Sequence, residues 1–138
     1  MDKLDGKKVF LEYYEGRPSN WNLPKVKIVD VQDVNSKYII DKYGKKYPVG
    51  RINRIFKWAY GYSTPHIISD FLKHRNDGTD GKPVMIVLKD GGHSIGDIES
   101  VTDGKLWLKE EGPGTFEVHV SDIIGIYTGI EFLYIKKP

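Results

Sequence analysis

The chain has 138 residues, of which 39% are hydrophobic and 29% charged, so it is long enough for one ordinary domain or two small ones and is typical of a globular protein. It contains no cysteine, which excludes disulfide bonds and thiol catalysis, and no apolar run approaches the roughly 20 residues of a membrane-spanning helix. The first residues, MDKLDGKK, lack the apolar segment of a secretory signal, so we expect a cytoplasmic protein with no membrane partner.

The overall charge of +2 conceals an uneven distribution along the chain. Residues 1–60 contain 13 Lys/Arg and 7 Asp/Glu, a net charge of +6, whereas residues 61–138 contain 8 and 12, a net charge of −4. This division predicts different faces or partners for the two halves, and the basic half is the better candidate for binding an anion.

The first half is a series of short segments in which apolar residues alternate, which predicts β-strands. The segment GRPSNWNLPK, between the first two strands, is rich in Gly, Pro and Asn and predicts an irregular loop that presents Arg17 and Trp21. The four strand-like segments are KKVFLEYYEG, VDVQDV, KYIIDKYG and KYPVGRINRI.

A single helix is predicted between the two halves, in STPHIISDFLKHRNDG. Ser63 or Thr64 can cap it, Pro65 suits its first position, and residues 76–78 can end it. We expect the helix to cover the mouth of a small barrel or the seam between two barrels, because it carries an apolar stripe. That stripe consists of Ile67, Ile68, Phe71 and Leu72.

The second half repeats the order of the first, in KPVMIVLKDGG, IGDIESV, KLWLKEEG and TFEVHVSDIIGIYTG. An apolar spacing of five and then three residues ends each copy, and the offset of three predicts a short 3₁₀ turn before the last strand of the copy. This spacing occurs in Tyr47, Ile52 and Ile55 and again in Val118, Ile123 and Ile126.

The chain ends with YTGIEFLYIKK, which predicts a final strand. An unpaired apolar strand promotes aggregation, so we expect this strand either to join the first barrel or to pair between chains. The predicted fold class is all-β with one helix, as two tandem small barrels. The predicted division is a basic first barrel at residues 1–60, a linker with the helix at 61–80, and an acidic second barrel with the C-terminal strand at 81–138.

The second copy resembles the Sm-like family of RNA-binding small β-barrels. VMIVLKDGGHSIGDIESV is similar to the family's first motif, a strand, a Lys-Asp-Gly turn and Gly-x-Ile-x-x-Val, and VHVSDIIGI is similar to its second. The resemblance implies a helix followed by a bent five-stranded barrel, and assembly through the last strand and a neighbour's fourth. The family's uridine-contacting Tyr-Lys-His run aligns with His119, Val120 and Ser121, which match neither its lysine nor its histidine in place.

The same features have structural causes that Src-homology-type and Tudor-type barrels share. Lys89, Asp90, Gly91 and Gly92 suit a tight hairpin that needs positive φ angles, and Gly96 suits the bend or bulge of a small barrel. An Sm-like barrel and a generic small barrel are therefore both compatible with the sequence.

The basic first copy is the candidate binding region. Cations neutralise phosphates while aromatic rings stack bases, at about 1–3 kcal/mol per base. The alternative is a solvated basic face whose aromatic residues, Tyr47 among them, point into the core. The candidate residues are Arg17, Trp21, Lys42, Tyr43, Lys45, Lys46, Arg51 and Arg54.

We expect no enzymatic activity, no metal and no cofactor. The four histidines lack metal-ligand spacing, and no nucleophile elbow, phosphate-binding glycine loop or dinucleotide fingerprint occurs. The expected function is binding of RNA, single-stranded nucleic acid or a nucleotide-like anion. The alternative is a protein-interaction module that forms homo-oligomers through barrel edge strands.

Overall fold

The computed structural model describes residues 4–16, 23–74, 83–110 and 114–136. Within these ranges the chain forms two six-stranded antiparallel sheets and one α-helix. The predicted all-β fold class is confirmed. Over the described strands neither sheet closes into a barrel, because the first and last strands of each sheet are not paired with each other.

The chain divides into two compact units, Met1–Lys57 with Glu131–Pro138, and Trp58–Ile130. In the first unit a 3₁₀ turn at Val49–Arg51 precedes the fifth strand, and the strand order is β12-β5-β1-β2-β3-β4. Its strands are β1 (Lys8–Tyr13), β2 (Lys25–Val34), β3 (Tyr38–Asp41), β4 (Lys46–Pro48), β5 (Ile52–Lys57) and β12 (Glu131–Ile135).

The second unit has the equivalent order, β10-β9-β8-β7-β11-β6, and a 3₁₀ turn at Val120–Asp122. A helix, α1 (Pro65–His74), precedes its first long strand. Its strands are β6 (Tyr60–Tyr62), β7 (Val84–Leu88), β8 (His93–Thr102), β9 (Lys105–Glu110), β10 (Thr115–His119) and β11 (Ile123–Thr128).

Each unit has its own apolar core, formed by the residues that alternate along its strands. The core of the first unit contains Val9, Leu11, Val29, Val31, Ile39, Tyr47, Ile52 and Ile55. The core of the second unit contains Val84, Ile86, Ile98, Leu106, Leu108, Val118, Ile123 and Ile126, with Ile68 and Leu72 from α1.

The helix begins at Pro65, as predicted, and the N–H group of Ile68 donates a 2.9 Å hydrogen bond to the oxygen of Thr64. Ile68 and Leu72 are buried, whereas Ile67 is 45% exposed, so the apolar stripe is narrower than predicted. The helix packs on the core of the second unit. The predicted stop at residues 76–78 lies outside the described residues. As far as the chain is described, no helix is long and apolar enough to cross a membrane.

The two copies share irregular features as well as strand order. Both predicted 3₁₀ turns are present, and the residue that follows each has φ −85° and ψ 125°. The pairing of β2 with β3 shifts register between Val31 and Asp33, and that of β8 with β9 shifts between Ile98 and Ser100. These shifts occur at corresponding positions, so the repeat extends to the bulges that bend the long second strand of each copy.

The last strand lies in the first unit, where β12 pairs antiparallel with β5. The sequence-based division placed residues 131–138 with the second barrel. That placement was wrong, because the backbone of β12 pairs with the edge of β5 and so belongs to the first unit. The expectation that the strand joins the first barrel within the chain agrees with this pairing. Similarly β6, which follows β5 in the chain, pairs with β11 of the second unit.

The Lys89–Gly92 turn has the positive φ angle predicted for it, whereas the register shift of β8 lies between Ile98 and Ser100 and not at Gly96, the position predicted for a bend or bulge. Gly91 has φ +90°, and the N–H group of Leu88 donates a 2.8 Å hydrogen bond to Gly92 O across the turn. At Gly96 the backbone of β9 approaches closely. A Cβ atom there would overlap the oxygen of Lys109 and would lie 3.0 Å from Glu110 Cα.

We predict that Gly96→Ala lowers the free energy of unfolding by about 1–3 kcal/mol, because the atoms it would displace are backbone and cannot move aside. Urea denaturation measures the change. Gly50→Ala is the control, since nothing lies within 4 Å of a Cβ there. Equal stability of the two variants would contradict the close approach.

Candidate nucleic-acid interface

The hairpin between β3 and β4 carries three of the predicted binding lysines on a tightly specified turn. The N–H groups of Tyr43 and Lys45 donate hydrogen bonds of 2.9 and 2.8 Å to Asp41 Oδ1. Gly44 has φ +84°, which a residue with a side chain rarely adopts. The buried Asp41 carboxylate therefore fixes the turn, and the side chains that follow it project outward.

Lysines and tyrosines are in contact around this hairpin. Lys42 Nζ lies 5.1 Å from the centre of the Tyr43 ring, and Lys46 Nζ lies 5.3 Å from that of Tyr38. Tyr43 is 83% exposed, so its ring is accessible to a partner. We call Tyr38, Lys42, Tyr43, Lys45 and Lys46 the hairpin cluster.

One carboxylate competes with this cluster for its charge. Lys42 Nζ lies 3.2 Å from Asp30 Oδ2. The interaction with Asp30 first, and with Tyr43 second, raises the pKa of Lys42, so its ammonium is fully charged at neutral pH. A phosphate that binds at Lys42 therefore has to share the ammonium with Asp30.

A second group of lysines and tyrosines lies at the end of the first unit's core. Lys27 Nζ and Lys45 Nζ lie 5.9 and 5.1 Å from the centre of the Tyr47 ring, and the Tyr13 ring meets that of Tyr47 edge-on at 5.4 Å. We call Tyr13, Lys27, Lys45 and Tyr47 the phenol–lysine end. Tyr47 is only 2% exposed, which agrees with the alternative that its ring points into the core.

The Tyr47 hydroxyl is buried without a hydrogen-bond partner among the described residues. The nearby Tyr47 oxygen is the largest cause that raises the pKa of Lys27. The Lys27 ammonium and the Tyr47 hydroxyl are nevertheless not oriented for a hydrogen bond. Burial first, and the nearby Glu15 second, raises the pKa of Tyr13. At neutral pH the lysine is therefore an ammonium and the Tyr13 phenol is neutral.

Lys27 was not among the residues predicted from sequence, although strand alternation could have identified it. On β2 it shares a face with the buried residues Val29 and Val31, and it stands opposite Leu11 on β1. A lysine on a core-facing position near the end of a strand places its ammonium where the core opens to solvent.

Arg54 is engaged in a buried ion pair. Its Nε and Nη2 donate hydrogen bonds of 2.6 and 2.7 Å to the two carboxylate oxygens of Glu12, which is 1% exposed. Asn53 Nδ2 donates a third bond of 2.6 Å to Glu12. This arrangement ties β5 to β1, so we assign Arg54 to the fold rather than to the interface.

The remaining predicted residues lie apart from both groups or beyond the description. Arg51 is exposed and its Nη1 donates a long, 3.4 Å hydrogen bond to the oxygen of Glu15. Arg17 and Trp21 lie outside the described residues and stay predictions. Across the described ranges, no three His, Asp or Glu side chains are grouped so that they could hold a metal ion.

Comparison of the chain with protein-family models, with curated proteins and with solved structures found no match. The resemblance to the Sm-like family therefore stays a prediction that rests on the sequence pattern.

We predict that Arg54→Ala lowers the free energy of unfolding by about 3–5 kcal/mol, because it leaves the Glu12 carboxylate buried without its cation. The control is Lys57→Ala, which breaks the exposed pair with Glu131 and should cost less than about 1 kcal/mol. Urea denaturation measures the free energy of unfolding of both variants. A small loss of stability in Arg54→Ala would contradict the structural role assigned to Arg54.

We predict that Tyr47→Phe raises the free energy of unfolding by about 1 kcal/mol, because it removes a buried O–H group that has no acceptor among the described residues, while the contact it loses, with the exposed Lys27 ammonium, contributes little. Tyr38→Phe serves as the control, and it should leave stability unchanged. Thermal and urea denaturation measure both. A loss of 1 kcal/mol or more in Tyr47→Phe would indicate that the hydroxyl stabilises the free protein.

Proposed function

We propose that the first unit binds single-stranded nucleic acid through the hairpin cluster, without catalysing a reaction. The observation that carries this proposal is the arrangement of lysine ammonium groups beside tyrosine rings on one short turn. Ammonium groups neutralise phosphates, and an exposed ring stacks a base. The cluster brings these two requirements together within a few ångströms.

The exposed face of Tyr43 favours a single strand over a duplex. A ring can stack on a base only when that base is free of its neighbours, and stacking depends little on which base it is. We therefore propose binding with weak sequence preference. Lys42, Lys45 and Lys46 contact successive phosphates in this proposal, and Arg51 is a candidate for a further contact.

Kinship with the Sm-like family remains part of the proposal. It is supported in the second unit by a helix followed by five consecutive strands, β7 to β11, the order that the resemblance implies. RNA is accordingly the first nucleic acid to test. The second unit carries few cations and is not proposed to bind the strand.

Assembly into homo-oligomers through edge strands is a second candidate. The strands β4, β12, β10 and β6 are the edges of the two described sheets, so pairing with another chain is open to them. The fifth strands, β5 and β11, are already paired on both sides within the chain. An assembly that uses the fifth strand, as in the Sm-like family, would have to displace β12 or β6 first. We therefore rank assembly below nucleic-acid binding.

We predict that Tyr43→Ala weakens binding of a fluorescent single-stranded RNA by about 1–3 kcal/mol, roughly 5- to 150-fold in Kd, because it removes the stacking ring. Fluorescence anisotropy at low salt measures Kd, and binding should weaken log-linearly as salt rises. Tyr43→Phe keeps the ring and should bind as the wild type does.

Tyr60→Ala is the matched control for this experiment, since Tyr60 is also an exposed tyrosine, at 67%, but belongs to the second unit. It should leave Kd unchanged. The proposal fails if the wild-type protein does not bind the strand at low salt, or if the two alanine variants weaken binding equally.

A further inference from the structure

The buried Tyr47 hydroxyl is the feature of the first unit that the fold does not account for. A buried hydroxyl normally has a hydrogen-bond partner, because leaving it without one is unfavourable. This one has none among the described residues, and two exposed lysines, Lys27 and Lys45, bring their ammonium groups to the ring that carries it. The hydroxyl can therefore donate to an oxygen atom that the two ammonium groups bind beside it.

The second copy provides an internal comparison for the position of Tyr47. In the first unit Tyr47 stands opposite Ile39, and in the second Val118 stands opposite Leu106, at the same place in the repeat. The second core forms with a valine at this position and needs no hydroxyl there. The phenol is therefore not a requirement of the fold.

Like Tyr47, the other residues of the phenol–lysine end are replaced in the second copy by residues that carry neither a phenol nor an ammonium group. Lys27 stands opposite Leu11, whereas its counterpart Ser94 stands opposite Ile86 and donates a hydrogen bond to Glu110. At all four positions the second copy has an uncharged residue. The counterparts of Tyr13, Lys27, Lys45 and Tyr47 are Leu88, Ser94, Phe116 and Val118.

We infer that the phenol–lysine end binds a phosphate monoester, with the Tyr47 hydroxyl donating to one phosphate oxygen and the Lys27 and Lys45 ammonium groups neutralising the others. The inference rests on the proposed function, and it names the chemical group that is recognised at this end. The monoester comes either from a free nucleotide or from the phosphorylated end of a strand.

The charges favour a monoester over an internal phosphodiester. A phosphate monoester carries about −1.5 to −2 charges at neutral pH and presents three terminal oxygens, whereas a phosphodiester carries one charge. Two ammonium groups and one hydroxyl match the former. Lys27 and Lys45 are exposed, so rotation of their long side chains gives a ligand access to the hydroxyl.

Two carboxylates lie near this end, and both already have partners. Glu15 Oε2 accepts a 3.1 Å hydrogen bond from Lys25 Nζ. Asp41 is buried, and its Oδ1 already accepts hydrogen bonds from the N–H groups of Tyr43 and Lys45. Lys45 belongs both to the phenol–lysine end and to the hairpin cluster. A strand whose phosphorylated end lies at Tyr47 would therefore continue onto the hairpin.

The experiment compares one RNA sequence with a 5′-phosphate, with a 3′-phosphate and with hydroxyl groups at both ends, together with adenosine monophosphate and adenosine. Isothermal titration calorimetry measures Kd for the full chain. We expect at least one phosphorylated strand to bind at least tenfold more tightly than the hydroxyl-ended strand, and the monophosphate to bind more tightly than the nucleoside.

Tyr47→Phe and Lys27→Ser should each reduce this preference to within twofold. Lys109→Ser, which removes an exposed lysine from the second unit, is the matched control and should keep the preference. Thermal denaturation of Tyr47→Phe verifies that the variant is folded.

The outcomes separate this inference from the proposed function. Equal binding of all three strands overturns the inference and leaves strand binding intact. Binding of the monophosphate alone, lost in Tyr47→Phe, supports the inference and overturns strand binding. A preference that survives in both Tyr47→Phe and Lys27→Ser overturns the assignment to these residues.

Discussion

The pairing of the fifth strand is the constraint on which both units depend. An unpaired sheet edge exposes a row of backbone N–H and C=O groups that other chains can join. In this protein β12 covers the edge of β5, and β6 covers that of β11. In the sequence, β12 follows the strands of the second unit but pairs in the first. Likewise β6 follows the strands of the first unit but pairs in the second. The first unit therefore reaches its full sheet only when residues 131–135 are in place.

This connectivity has consequences for folding. The pairing of β12 with β5 joins residues more than 70 positions apart. Contacts of such long range slow folding, because the entropy of closing the long loop between them is lost before the contact forms. The second unit is formed by a continuous segment, Trp58–Ile130. The contact between Phe56 and Phe132, whose ring centres are 5.7 Å apart, joins the two strands of this pairing, and the Glu12–Arg54 ion pair joins β5 to β1 on its other side.

The sequence was informative wherever a signal is local. Alternation predicted every described strand except β6, whose residues 61 and 62 lie in the predicted linker. The spacing of five and then three residues predicted both 3₁₀ turns, and Pro65 predicted the start of the helix. The partner of the last strand could not be derived, because alternation identifies a strand but not the edge that it joins. The structural role of Arg54 could not be derived either. Its partner Glu12 is 42 residues away in the sequence and lies beside it only after β1 and β5 pair.

In the candidate site, too, the sequence predicted the local group, the hairpin cluster, but not the phenol–lysine end. Lys42, Tyr43, Lys45 and Lys46 follow one another in the sequence, so their grouping on one hairpin is a local property. The phenol–lysine end combines residues from β1, β2, β4 and the turn before β4, and the register of three strands decides which of them meet. Comparison of the two copies then distinguishes the residues that form the core from those that only the first copy carries.

The strand order occurs twice in this chain, and we propose that only the first copy binds an anion. Residue-resolved NMR during titration with a phosphorylated single-stranded RNA tests it most directly. We predict chemical-shift changes at Lys27 and along Tyr38–Tyr47, with the positions equivalent to Lys27 and Tyr47, Ser94 and Val118, unchanged. Changes centred on the second copy, or none in either, would contradict it.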